Sequence, residues 1–182
     1  AIVLGVALGM AVQAIHEAAL NEFGRGVRVL AGEADLRVIG PASGFDETLF
    51  EQILQHPEIA HATPLVEVEA KLAGREQTLR VLGIDIFTLA RVAPRLLPQS
   101  HDKTDRFATL AEDSIFLSQA AQQAYGVKIG EELVVQDGIR SLKLRIAGDL
   151  PGVADGQRLA VMDIAGAQLA FGRIGKLSRI DL

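Results

Sequence analysis

Cysteine and tryptophan are absent from the 182 residues, tyrosine occurs once, and aromatic residues make up only 4%. Without cysteine the chain has no disulfides and no thiolate metal sites, although that absence leaves the compartment open. Few aromatics, a net charge of -5 and a pI near 5.4 argue against nucleic-acid binding, which uses basic surface and stacking rings. No low-complexity tract and no short internal repeat stands out. Charge is also missing from the start: the chain opens on the run AIVLGVALGMAVQA, and with histidine counted neutral the first charged side chain is Glu17.

A bilayer-spanning helix needs about 20 apolar residues, and this run is shorter. A buried core helix and the remnant of a signal peptide are the alternatives, the latter without its basic start. The continuation favours a span. Ile15, Ala19, Phe23, Val27 and Leu30 keep a helical spacing beyond His16, Glu17, Asn21 and Glu22, so an apolar rod turns amphipathic without a proline break. Gly24 and Gly26 weaken that helix by about 1 kcal/mol each relative to alanine. The segment therefore reads as a membrane helix whose beginning lies upstream. The mean hydropathy of +0.26 owes much to it.

From Ala34 onward the pattern is that of a water-soluble domain. Residues 35–39 (DLRVI) alternate as a strand, and Gly40, Pro41, Ser43 and Gly44 mark a turn. Asp46 is placed to cap a helix with the stripe Leu49, Phe50, Ile53 and Leu54, which Pro57 stops near His56. Residues 62–73 and 77–84 form two strands joined by Gly74-Arg75. A short helix over 86–92 runs into Pro94 and Pro98 and then the polar loop QSHDKTDR. A helix from Ser118 to Tyr125 ends at Gly126, two strands flank Asp137-Gly138, and 159–162 is another strand. A helix over 164–171 closes at Gly172, and LSRIDL (177–182) alternates as a final strand.

No catalytic constellation emerges. His56 and His61 frame HPEIAH at a spacing of five with Pro57 between them, not the i, i+4 pair of a helical zinc site. His101-Asp102 has no nucleophile signature beside it. Ser114 and Ser118 lack a Gly-x-Ser-x-Gly elbow and read as caps. Phosphate-binding glycine loops are missing. Asp46-Glu47 and Glu131-Glu132 read as solvated carboxylates. Catalytic, cofactor and metal sites are therefore all assigned as none, and the domain is read as a non-enzyme.

Several phrases in order resemble one family. An apolar exit leads to AGEADLRVIG, then HPEIAHATPLVEV, RVLGID, SQAAQQAYGVKIGEELVV with a strand pair after it, and AQLAFGRIGKLSRIDL. Together these resemble the MacB-type periplasmic core domain of FtsX-like ABC transporter permeases, most closely the ten-span subgroup with two such modules. The resemblance implies a mixed α/β (α+β) fold in two parts behind a long N-terminal helix. Residues 1–32 would be the end of a transmembrane helix and an amphipathic stalk. Residues 33–85 with 173–182 would form a porter-like βαβ part, and 86–172 an inserted sabre-like part. The family continues past its final strand with another helix and strand before its second span, and this chain stops first. The matched phrases hold no ligand motif.

The function implied is extracytoplasmic: coupling ATP hydrolysis in the cytoplasm to export or extraction of a substrate at the outer side of a bacterial inner membrane. The partners would be a cytoplasmic ABC ATPase subunit, a second permease copy or paralogue, and a periplasmic partner or lipid or lipoprotein cargo, with no nucleic acid. The alternative is a membrane-anchored peptide- or lipid-binding module with its groove between the two parts. A third reading, an extracytoplasmic hydrolase, has no constellation to support it. Ile2, Val3, Leu4, Val6 and Leu8 would present a contiguous apolar surface to water. Burying a few hundred Å² of it is worth several kcal/mol at about 25 cal/mol per Å². The 182-residue chain is expected to self-associate and a version starting at Glu17 to stay monomeric. Light scattering checks this, and two monomers would remove the membrane-exit reading's main support.

Overall fold

The computed structural model describes residues 36–92, 94–101 and 108–182. The apolar run, the stalk helix of residues 1–32, the Asp35 end of the first strand and most of the loop QSHDKTDR lie outside the described residues. No helix among the described residues is long and apolar enough to cross a membrane.

The chain order is β1 (Arg37–Ile39), β2 (Phe45–Asp46), α1 (Thr48–Leu54), β3 (Thr63–Leu72), β4 (Thr78–Ile84) and α2 (Ile86–Val92). Then follow β5 (Gln99–Ser100), β6 (Ser114–Leu117), α3 (Gln119–Tyr125), β7 (Glu132–Asp137) and β8 (Arg140–Asp149). The last elements are β9 (Leu159–Asp163), α4 (Ile164–Ala170), β10 (Lys176–Leu177) and β11 (Arg179–Asp181). Single 3-10 turns occupy Pro94–Leu96 and Ala108–Leu110.

Six strands close on themselves in the order β3-β4-β9-β6-β8-β7, and β7 returns to β3. The closure is narrow: Lys71 and Leu72 of β3 face Gln136 and Val135 of β7. The pairs β4–β9 and β6–β8 are parallel and the others antiparallel. Strands from 33–85 and from 86–172 thus share one sheet. β11 and then β1 extend the sheet from β3, outside the closed ring.

Both faces of the central strands are buried, and alternate residues serve different cores. Val66, Val68, Ala70, Leu79, Val81, Ile115, Leu117, Leu133, Val135, Leu144, Ile146, Ala160 and Met162 fill the ring. Leu65, Leu82, Ile84, Phe116, Ala147, Leu159 and Val161 point the other way, toward Leu89 of α2, Leu96 and Leu150. A small barrel needs such side chains to fill its interior. Short helices plug the ends. α3 sends the Tyr125 hydroxyl to the Thr78 carbonyl at 2.7 Å, and Arg75 donates to the Tyr125 carbonyl at 2.7 Å. α4 seats Ala167 against Gly83, where a Cβ on the glycine would collide with the alanine methyl.

Local expectations and structure agree at most turns. Gly126 ends α3 at φ 64°, and the Ser118 hydroxyl caps it by accepting from the Ala121 amide at 3.2 Å. The β7–β8 loop is Gly138–Ile139, one residue later than the Asp-Gly pair suggests, since Asp137 already faces Arg140. Gly138 takes the first loop position at φ 59°, which suits a Gly-first two-residue turn. Asp46 does not cap through the expected N-cap geometry. It lies in β2, paired with β10, and accepts from the amide and hydroxyl of Thr48 at 3.1 and 2.7 Å. Those bonds, with Lys176, hold its carboxyl below the usual range.

Ser118 ties three elements. Besides capping α3, its hydroxyl accepts from the Leu159 amide at 3.1 Å and donates to the Gln157 carbonyl at 2.6 Å, and the side chain is buried. Ser118→Ala strands two amides and a carbonyl. Urea unfolding is expected to show a loss of about 2–3 kcal/mol, above the ~1 kcal/mol of an ordinary cap.

Candidate functional site: a charged ladder between the chain ends and the barrel

The two ends of the described fold lie side by side. Leu36 donates its amide to the Leu182 carbonyl at 3.3 Å, and Leu182 returns a bond to the Leu36 carbonyl at 2.9 Å. Register continues through Arg37 opposite Asp181 and Ile39 opposite Arg179. β11 in turn pairs with the first three residues of β3, Asp181 with Thr63 and Arg179 with Leu65. Leu36 and Leu182, the two ends of the described fold, therefore lie at one point of it.

One face of these strands carries charge where the opposite face is apolar. Arg37 of β1 lies 3.5 Å from Asp181 of β11, and Arg179 of β11 lies 2.9 Å from the same carboxylate. Arg179 also reaches Glu67 of β3 at 3.5 Å, and Glu67 pairs with Arg80 of β4. The ladder crosses four adjacent strands. Arg37, Arg80 and Arg179 stand against Glu67 and Asp181, a surplus of one positive charge. Its centre is dry: the Arg179 and Asp181 side chains are 9% and 5% exposed.

Ser178 completes the junction. Its hydroxyl accepts from the Glu67 amide at 2.9 Å and donates to the Glu67 carbonyl at 3.3 Å, doing the work of a strand residue. Beyond it the β11 side of β3 has no strand partner until Lys71 meets β7. A hollow of about 600 Å³ opens there, lined by Ile39, Pro41, Glu67, Glu69, Arg173 and Arg179 among others. The Arg173 guanidinium crosses its rim to the Ala42 carbonyl at 2.8 Å.

His56 and His61, exposed on either side of Pro57, are not joined by further ligands; no group of three His, Cys, Asp or Glu among the described residues could hold a metal ion. Ser114 lies in β6 and donates nothing to a base; its hydroxyl accepts from Arg145 at 3.0 Å. Sequence reasoning passed over Arg37, Glu67, Arg80, Arg179 and Asp181, because polar residues in alternating strands read as solvent-facing. The available signal was opposite charge at i and i+2 in LSRIDL, with further charges at the same strand parity in residues 37 and 67.

No family model and no curated protein sequence matches the chain. Solved structures do share its fold. One is the extracellular domain of the noncanonic ABC-type transporter YknZ from Gram-positive bacteria, at 14% identity and a TM-score of 0.51 over 77% of this chain and 73% of that one. Another is the periplasmic region of MacB from Actinobacillus actinomycetemcomitans, at 12% identity and a TM-score of 0.50. That match covers 79% of this chain and 64% of the MacB region, so this chain spans less than two thirds of it. At such identities the likeness is one of fold.

Burial pushes the Asp181 carboxyl above its ordinary value, against the pull of Arg179 and Arg37. A raised carboxyl binds its proton more tightly folded than unfolded. Asp181 therefore favours folding below the unfolded pKa of about 3.8, and that contribution is lost as pH rises through the higher folded value. Arg179→Met leaves two carboxylates without their shared cation and is expected to cost about 3 kcal/mol or more. Asp181→Asn is expected to cost much less, since burial already disfavours its charge. As pH falls toward the acid range the stability difference should move in favour of the native aspartate. Chemical denaturation across pH checks both; a shift favouring the asparagine would refute the assigned direction.

Proposed function

We propose that the chain is the extracytoplasmic domain of an ABC transporter permease of the FtsX-like, MacB-type kind, held at the outer side of a bacterial inner membrane. In this reading it passes motion driven by a cytoplasmic ATPase to a substrate or partner outside. The observation that carries the proposal is the pairing of Leu36 with Leu182, which brings both ends of the fold to one point, as a domain inserted between two membrane helices requires. The fold shared with the YknZ and MacB domains supports it. The charged ladder adds a physical route from those ends into the barrel. The porter-like and sabre-like division at 33–85 with 173–182 and 86–172 belongs to the same proposal, as do the second permease copy and the lipid or lipoprotein cargo. The domain itself does no chemistry in this reading.

The runner-up, a binding module anchored by one helix, has the hollow beside β3 in its favour. The two separate in the full-length protein. The 182 residues hold no cysteine, so Glu76→Cys, at the exposed β3–β4 turn, gives the domain one reporter thiol once any cysteine elsewhere in the full-length protein is replaced. In spheroplasts a membrane-impermeant maleimide is expected to label it without lysis, and an ABC ATPase is expected to copurify with the protein. Labelling only after lysis would sink both readings. External labelling of a protein with one membrane span and no ATPase would leave the binding module.

A further inference from the structure

We propose that Arg179, Ser178 and Glu67 form a register lock that keeps β11 from sliding along β3 when the chain ends are pulled. The inference rests on the force-transmitting reading above, because only a loaded domain needs such a device. β11 is three residues long and grips β3 only at Thr63–Leu65. Leu182 sits at the Thr63 end of β3, so a pull on Leu182 along the strand shears β11 toward residue 61. The backbone bonds of the joint are then loaded together rather than peeled one at a time.

Apolar pattern alone does not prevent that slide. A slip of one residue would turn Ile180 from the core to the charged face and is forbidden. A slip of two restores every side chain to its original face. The charges distinguish the two-residue slip. It would carry Arg179 from opposite Leu65 to opposite Thr63, away from Glu67, and would take the Ser178 hydroxyl off both backbone groups of Glu67. Asp181, on the same strand, stays with Arg179 in any register, but Arg179 is nearly dry, so losing Glu67, the second of its two carboxylates, is costly. Glu67 is itself held from the far side by Arg80 of β4, so the lock is anchored in the ring. Arg37 on Asp181 makes β1 travel with β11. The raised proton affinity of Asp181 fits this view, since a pair kept for register need not add resting stability.

The test separates resting stability from strength under load. In the 182-residue chain, Leu182→Cys and Glu76→Cys supply handles at opposite ends of β3, and a single molecule is held at constant force between them. Phe87→Cys and Ile139→Cys, both at exposed positions, supply a pull whose load does not cross β11. The triple variant Glu67→Leu/Arg179→Met/Asp181→Asn, which leaves no buried carboxylate behind, is expected to shorten the lifetime in the first pull by about tenfold or more. Its lifetime in the second pull and its equilibrium folding constant should stay within about threefold of the parent, because replacing a whole buried ion cluster by neutral side chains is often neutral. Should that variant fail to fold, the near-isosteric Glu67→Gln is expected to shorten the first lifetime alone by a smaller factor. An unchanged first lifetime, or an equal fall in both pulls, would overturn the lock. Neither measurement involves transport or an ATPase, so the lock and the transporter reading fail separately.

Discussion

The two edges of β3 carry the architecture. Along one edge β3 pairs with β4 for seven residues, and along the other it is divided between β11 at its start and β7 at its end. The pairing with β7 closes the ring; the pairing with β11 attaches the chain ends. If β3 were shorter by one turn's length at either end, the barrel would open or the terminal strands would have nothing to hold. Every backbone donor and acceptor in a sheet must find a partner, and this constraint gives a ten-residue strand two neighbours on one side. In the gap between those neighbours the Ser178 hydroxyl serves both backbone groups of Glu67.

Closure determines where apolar side chains go. In an open two-layer sheet one face is packed and the other wet, and strands alternate. Here β6 and β9 are apolar on both faces, because one face fills the ring and the other lies under α2, Leu96 and Leu150. Interior space is limited enough that backbone approaches are set by glycine: Gly148 admits the Gln99 carbonyl so that β5 can pair, and Gly83 admits α4. The core is thus a set of close contacts, with little slack for motion inside the ring.

The same geometry explains the charges. β11 would be an ordinary edge strand, polar on one face and wet, if β1 did not cover it. With β1 added outside, Arg179 and Asp181 become interior to a four-strand patch and must satisfy one another. Arg37 and Arg80 at the two flanks remain partly exposed and leave the ladder one positive charge in excess. A ladder of this kind contributes little or nothing to resting stability compared with apolar packing. What it supplies is a preference of register: Arg179 meets Glu67 only where β11 pairs with β3 at Thr63–Leu65, while Asp181 moves with Arg179 on the same strand.

Much of the fold is legible in the sequence because it depends on neighbours along the chain. The strand pair 63–84, the Ser118 cap and Gly126 stop of α3, the Gly138 turn and the helix ending at Gly172 follow from local propensity and turn chemistry, and they lie within a residue or two of expectation. β6 was not legible: SIFL is buried on both faces and shows no period, and Ser114 and Ser118 beside it suggested only a helix start. β5 and the β2–β10 pair are two residues each, held by partners distant in sequence. The closing of the ring through Lys71 and Leu72, and the burial of Arg179 and Asp181, depend on which strands become neighbours. A periodicity of two tells which residues share a face, but only the assembled sheet decides whether that face meets water.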